Sequence, residues 1–171
     1  MIDIEKFKTN VIDKYQPLLI NELTSYLDSQ RDFFADYEIQ VIDFEFNPDH
    51  ACELIINFLV TGEDAWEEKV KKDSDYYTTD WKFYLYNVDV SPSEKLEEIL
   101  STLSFDLAPY HEGLPDDTCY EMLHRIYDQL FLMVSSIVKT ESVLSVVQQY
   151  NLSEGFRVQL IDSRNDKDYG E

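Results

Sequence analysis

The spacing of hydrophobic residues changes from three or four to two near residue 37, and this change limits the possible folds strongly. Before it, apolar side chains recur at the helical spacing as far as residue 27. This pattern predicts an N-terminal helix, which Pro17 should kink or divide because proline has no backbone N–H to donate. The first element of the chain is therefore predicted to be helical.

After the change, two segments have the character of strands. The segment 37–46 alternates apolar and polar residues, and the segment 53–60 is apolar on nearly both faces. The turn-forming sequence "NPDH" separates them, so an antiparallel hairpin is expected. The alternation slips by one residue near Val41–Ile42, which predicts a β-bulge.

The rest of the chain predicts one further strand, then helices, then a closing strand. The stretch "WKFYLYNVDV" (81–90) alternates as a third strand, and "SPSEKLEEILSTL" has the capping signals of a helix start at Ser91. A strongly apolar helix is predicted over 118–138, a further helix follows a kink near 139–141, and "GFRVQLIDS" alternates as a last strand.

This order, α-β-β-β-α-α-α-β, predicts an α+β fold. We expect an antiparallel sheet of about four strands with helices packed mainly on one face. The length suits a single globular domain over residues 1–171, with a frayed polar tail at 164–171.

Charge is the outstanding feature of the composition. The chain has 35 acidic and 14 basic residues, a formal net charge of −21. Such a balance opposes binding to nucleic acid and to anionic membranes, and it favours basic protein partners. Residues 1–61 carry a net −8, residues 62–119 a net −10 and residues 120–171 only −3, so a basic partner is expected to dock on the first two thirds. Solubility alone is the competing explanation.

No motif for catalysis or for a cofactor is present. The chain has no phosphate-binding glycine loop and no nucleophile elbow. The spacing Glu121 to His124 resembles half of a di-iron helix motif, but the second half is missing, and neither a metal nor a cofactor is predicted. Asp43 and Glu45 share a strand face, as a pair of catalytic acids would, and as exposed strand residues in an acidic protein also would.

The sequence also bears on the cellular compartment of the protein. Cys52 and Cys119 do not form a disulfide framework, and isolated thiols in apolar surroundings are usually small core residues. The N-terminal sequence lacks a secretion signal and no apolar run reaches the length of a membrane span. A cytoplasmic protein is expected.

Acidic and aromatic residues mix in the stretch that begins at Gly62. Tyrosine and tryptophan are favoured anchors of protein interfaces, and carboxylates around them can bind lysine and arginine. With the acids of the first predicted strand, these residues form the predicted partner-binding surface: Asp43, Glu45, Glu63, Asp64, Trp66, Asp73, Asp75, Tyr76, Tyr77 and Asp80.

In size, charge and order of elements the chain resembles the small acidic immunity proteins of bacterial polymorphic toxin systems. The stretch "YYTTDWKFY" ahead of the capped helix "SPSEKLEEIL" adds to this resemblance. The resemblance implies a protein that binds a toxin, often a basic nuclease, and covers its active surface. It brings no catalytic residues with it.

The leading hypothesis is a non-catalytic acidic binding protein of this immunity type. The first alternative is a hydrolase-like enzyme with an acidic cleft, in which His50 or His111 would titrate. The second alternative is a structural or scaffold domain without a ligand.

Overall fold

The structure is a computed structural model that describes residues 3–48, 52–61, 94–111 and 116–170. The side chains of His111, of 116–120 and of Met122 lie outside this description. The described helices are α1 (Ile4–Phe7), α2 (Asp13–Gln30), α3 (Glu94–His111), α4 (Asp116–Val138) and α5 (Glu141–Val147). The described strands are β1 (Ile39–Asn47), β2 (Glu53–Val60), β3 (Leu152–Gln159), β4 (Ile161–Asp162) and β5 (Lys167–Asp168).

The predicted N-terminal helix is present but its winding changes along its length. A π-helical turn, Lys8–Ile12, joins α1 to α2, and the Asp13 N–H bonds to the carbonyl of Lys8 five residues back. Pro17 lies inside α2. The irregular turn therefore precedes the proline, which belongs to the early part of the second helix.

The predicted hairpin is confirmed. Strands β1 and β2 pair antiparallel from Ile39–Val60 to Asn47–Glu53, and the register shifts between Ile39 and Val41. The extra residue is Gln40, so the bulge lies one position before the place where the alternation slips. The bulge places both Ile39 and Ile42 in the hydrophobic core, whereas Val41 is buried outside that core.

The sheet of described strands is mixed, and the predicted all-antiparallel sheet is therefore wrong in this respect. Its order is β2-β1-β3, and β3 runs parallel to β1. Local alternation identifies a strand but carries no information about the direction of its distant neighbour. The strand predicted at 81–90 and the N-cap predicted at Ser91 lie outside the described residues.

The described helices contact one face of this sheet. That face is apolar: Phe58 stacks on Phe34 with ring centroids 4.2 Å apart, and Phe46 meets Phe131 of α4 edge to face at 5.4 Å. The central helix is confirmed at Asp116–Val138, and a 58° bend separates it from α5. Leu132 of this helix is 49% exposed.

The C-terminal residues form a second, two-stranded sheet where a frayed tail was expected. Strands β4 and β5 pair antiparallel as a C-terminal hairpin, and Tyr169 is 7% exposed and stacks on Phe131 at 5.4 Å. Ser135 donates a hydrogen bond of 2.7 Å to the carbonyl of Tyr169. These contacts hold the segment 161–170 on α4.

Within the described residues, no single helix is both long and apolar enough to cross a membrane. The bent pair Leu123–Val138 and Glu141–Val147 would satisfy the length and composition criteria only when taken together.

Candidate functional site

A row of polar side chains crosses the second face of the sheet, the face opposite the helices. Residues directly across a pair of strands share a face, and Asp43 of β1 lies opposite Asn57 of β2 and Gln159 of β3. The three residues are 3%, 0% and 2% exposed. The sheet therefore buries a carboxyl group between two carboxamides, and we call these three residues the polar row.

Each oxygen of the Asp43 carboxyl group accepts one hydrogen bond within the polar row. The Nδ2 atom of Asn57 donates to Oδ2 at 3.1 Å, and the Nε2 atom of Gln159 donates to Oδ1 at 3.2 Å. Both donors are neutral amides, so they orient the carboxyl group without supplying a positive charge. The row is thus hydrogen-bonded but carries no compensating cation of its own.

Burial raises the pKa of Asp43 to about 7. The two amide donors act in the opposite direction, and the neighbouring Glu45 carboxylate raises the pKa further because two negative charges repel. A carboxyl group with a pKa near neutrality changes its charge under ordinary cellular conditions. A small change in pH near neutrality therefore alters the charge of the polar row.

Two charged residues border the polar row. The Nδ2 atom of Asn57 also lies 3.5 Å from Oε2 of Glu45, so one amide group bridges two carboxyl groups. On the other side Arg157 donates from Nη2 to Oε1 of Gln159 at 3.3 Å. The row thus runs from an anion on one side to a cation on the other, with Asp43 between them.

The structure places the predicted partner-binding residues in different environments. The alternation predicts Asp43 on an accessible face, but that face is covered, and the carboxyl group is buried and fully engaged. This removes Asp43 from the partner surface. Glu45 is half-buried and accepts a hydrogen bond of 3.3 Å from Asn47. The remaining eight lie outside the described residues: Glu63, Asp64, Trp66, Asp73, Asp75, Tyr76, Tyr77 and Asp80.

The groups weighed for metal binding do not come together in the described part of the chain. No cluster of three or more His, Cys, Asp or Glu side chains occurs there. Cys52 is buried in the core at the start of β2, and its Sγ lies 3.8 Å from the carbonyl oxygen of Pro48. His50 and the side chain of His111 lie outside the described residues, so their predicted titration stays a prediction.

A second cluster, the C-terminal clamp, joins the C-terminal hairpin to α4. The guanidinium group of Arg164 binds both oxygens of the buried Asp162, at 2.8 Å from Nε and 2.5 Å from Nη2, and reaches Asp128 at 3.0 Å. It also lies over the rings of Tyr127 and Phe131, 5.3 Å from each centroid. The clamp fixes the hairpin through one cation and two carboxylates.

The clamp sets the ionisation of Asp162. Burial acts to raise the pKa of Asp162, but the hydrogen bonds and charge of Arg164 outweigh it and hold that pKa below its ordinary value. The residue therefore stays ionised at neutral pH in spite of being 0% exposed. Its role in the described structure is to anchor the turn between β4 and β5.

A third feature is an acidic corner between α2 and β1, defined here as Asp28, Asp32, Phe33, Asp36, Tyr37 and Glu38. Its four carboxyl-bearing residues are exposed, and Phe33 is 44% exposed beside them. The one cation within this segment, Arg31, pairs with Asp28 at 2.8 Å and donates to Gln149 at 2.5 Å.

Sequence reasoning missed the acidic corner. The stretch "DFFADYE" could have indicated this surface, since acidic and aromatic residues are mixed there between two regular elements. The helical spacing fades at that point, so the hydrophobic pattern alone predicts no element there.

Comparison of the chain with protein-family models, with curated proteins and with solved structures finds no match in any of the three.

Proposed function

We propose that this chain is a non-catalytic, cytoplasmic acidic protein that binds a basic protein partner, as an immunity-type inhibitor would bind a toxin such as a nuclease. The observation that carries the proposal is the acidic corner, where exposed carboxylates surround an exposed aromatic ring. A basic surface would find there both opposite charge and an apolar anchor.

The charge of the corner favours association with a cation-rich surface. Asp32, Asp36 and Glu38 are exposed within seven residues, and the whole chain adds a net −21 to the field around them. Long-range attraction of this kind accelerates encounter and weakens as salt screens it. Binding at the corner should therefore be fast and strongly dependent on ionic strength.

The aromatic residues of the corner are held by the core. Phe33 lies edge to face with Phe34 at 5.0 Å and parallel to Tyr37 at 6.3 Å, and Phe34 is 1% exposed. An exposed ring fixed in this way can receive an arginine or lysine side chain with little loss of conformational entropy. Such rings are common centres of binding energy.

Backbone hydrogen bonds fix the corner to the sheet. The N–H of Tyr37 bonds to the carbonyl of Phe34 at 3.0 Å, and the N–H of Ile39 bonds to the carbonyl of Asn151 at 2.7 Å. Glu38 accepts a hydrogen bond of 2.8 Å from Thr61. The corner is thus ordered before a partner arrives, which reduces the cost of binding.

The first test is a pull-down from lysate of the native organism at low salt, eluted by a salt gradient and identified by mass spectrometry. We expect one basic protein that leaves at a defined salt step. A diffuse set of basic proteins would mean that the charge serves solubility, and the proposal would then be wrong.

Matched triple variants then test the surface with the captured protein. The corner variant carries Asp32→Asn, Asp36→Asn and Glu38→Gln, and the control carries Glu5→Gln, Asp13→Asn and Glu121→Gln, which are all exposed. We expect the corner variant to lose about tenfold in affinity and part of its salt dependence, because local charges dominate the interaction. Equal losses in both variants would mean that only total charge matters.

A hydrolase-like enzyme is the second candidate function. Its candidate titrating group is Asp43, with a pKa of about 7, which would have to become accessible to a substrate from its buried position. Turnover of a model ester or phosphodiester that titrates near this pKa and is lost in Asp43→Asn would support it. Turnover that is unchanged in Asp43→Asn would exclude Asp43 as the catalytic group.

A further inference from the structure

The polar row connects three strands that are far apart in the sequence. Asp43 lies on the central strand β1, and its two hydrogen-bond donors lie on β2 and β3. Gln159 is the last residue of β3 and is followed at once by the C-terminal hairpin. Any change in the Asp43 carboxyl group therefore acts on the contact between the N-terminal strands and the C-terminal segment.

The charged groups near Asp43 favour its neutral form. Within the described residues these groups are Glu45 on β1, Asp168 on β5 and Arg157 on β3. Glu45 and Asp168 both raise the pKa of Asp43, after burial itself, which is the largest cause. Arg157 binds the amide oxygen of Gln159 rather than the carboxyl group of Asp43. The ionised carboxylate of Asp43 is therefore less stable in its buried site than it would be in water.

The contact between β1 and β3 is the weaker side of the central strand. Pairing between β1 and β2 continues from Ile39 to Asn47, but pairing with β3 is interrupted between Ile39 and Val41 and ends at Asp43. At the interruption, Oε1 of Gln40 and Oγ of Ser153 are buried without a hydrogen-bond partner among the described residues. Unpaired buried groups of this kind reduce local stability, so β3 should separate more easily than β2.

We propose that the Asp43 carboxyl group is a proton-linked latch: when neutral it keeps β3 closed on β1, and when ionised it favours the opening of β3. The opened state would place Asp43 in water, where a carboxylate is well solvated. The latch is distinct from the acidic corner and does not depend on the proposed function.

The linkage between proton release and opening fixes the direction in which pH acts. The pKa of Asp43 is about 7 in the closed state and returns toward its ordinary 3.8 when the group is hydrated. Opening therefore releases a proton throughout the interval between these values, and its equilibrium constant rises about tenfold for each pH unit. The rise levels off above the closed-state pKa.

Hydrogen exchange of the full chain, read by mass spectrometry and corrected for intrinsic exchange rates, tests the latch. We expect protection of the backbone amides of Leu152–Gln159 to fall about tenfold per unit between pH 5 and pH 6.5 and to level off near pH 7. The amides of β1 and β2 that pair with each other should stay more strongly protected than those of β3 at every pH, because they exchange through a larger opening. They serve as the control within the same molecule.

Two variants assign the effect to Asp43. In Asp43→Asn the protection of β3 should no longer depend on pH, because the titrating group is gone. In Glu45→Gln the dependence should remain with its midpoint at lower pH, because a repelling carboxylate has been removed. Neither residue belongs to the acidic corner.

Three results would overturn the latch. One is an unchanged pH dependence of β3 protection in Asp43→Asn. Another is protection of the β1–β2 pair that equals that of β3 at every pH, which would mean that the whole domain unfolds together. If Asp43→Asn does not fold, Glu45→Gln decides alone, and a midpoint at the wild-type pH would rule the latch out.

Discussion

The molecule contains two buried aspartates whose surroundings act on them in opposite ways. Asp43 in the sheet is 3% exposed and Asp162 before the C-terminal turn is 0% exposed. The pKa of Asp43 is raised to about 7, whereas that of Asp162 is held below its ordinary value. Both accept hydrogen bonds on both oxygens, so neither burial nor hydrogen bonding alone explains the difference.

The charge of the hydrogen-bond donor explains why the two pKa values shift in opposite directions. Arg164 brings a guanidinium cation to Asp162, whereas Asn57 and Gln159 bring only neutral amides to Asp43, with Glu45 nearby. A cation compensates the carboxylate for the hydration that it loses on burial, and an amide compensates only in part. Burial therefore produces a permanently charged anchor in one region and a titrating group in the other.

The largest expected effect follows removal of the cation. Arg164→Ala leaves the Asp162 carboxylate buried without a counter-charge, and we expect unfolding in urea at pH 7 to require about 3 kcal/mol less free energy. Asp162 stabilises the fold above its ordinary pKa, and this contribution is lost as the pH falls through its lowered folded-state value. The deficit of Arg164→Ala should therefore shrink below about pH 4.

Arg164→Lys is the control for that experiment, since it keeps the charge but cannot bind both oxygens of Asp162 in the same way. The free energy of unfolding should fall less in Arg164→Lys than in Arg164→Ala. Equal losses in the two variants would show that stacking on Tyr127 and Phe131, rather than charge, holds the hairpin.

The next largest effect is the pH dependence that Asp43 adds to global stability. Its pKa is raised in the folded protein, so the stability that it contributes is complete below pH 3.8 and is lost as the pH rises to about 7. Between pH 5 and pH 7 the wild type should lose about 2 kcal/mol more than Asp43→Asn in urea titrations. Parallel curves for the two proteins would mean that Asp43 is already ionised in the fold.

The smallest effect is expected at His124. Its Nδ1 lies 3.3 Å from Nη1 of Arg164, but the carboxylates of Asp162 and Asp128 hold the same guanidinium group. His124→Ala should therefore cost no more than about 1 kcal/mol at pH 7, measured by urea unfolding. A loss as large as that of Arg164→Ala would mean that the histidine, and not the carboxylates, positions the arginine.

Local patterns predicted the α+β class, the hairpin with its bulge and the central helix, because each depends on residues close in sequence. The parallel contact of β3 could not be predicted, since alternation does not reveal a strand's distant neighbour. Alternation did place Asp43 on the face opposite the core, but it says nothing about what covers that face. The expectation that Asp43 is accessible is therefore wrong.

The C-terminal hairpin was missed for a related reason. Each of its strands is two residues long, and the charges of "DSRNDKD" are typical of a solvated tail. Only the fold brings Arg164 within reach of Asp128, 36 residues earlier in the chain. Pairings across such separations leave no periodic trace in a sequence.

The mixed pairing of β1 also affects the order of events during synthesis. Its partner β2 follows within a few residues, but its parallel partner β3 ends at Gln159, 112 residues after the end of β1 at Asn47. At about 5–20 residues per second, ribosomes need roughly 6–22 seconds to make that stretch. Throughout this time the edge of β1 that β3 later occupies lacks β3, and the nascent chain is then most exposed to incorrect strand pairing.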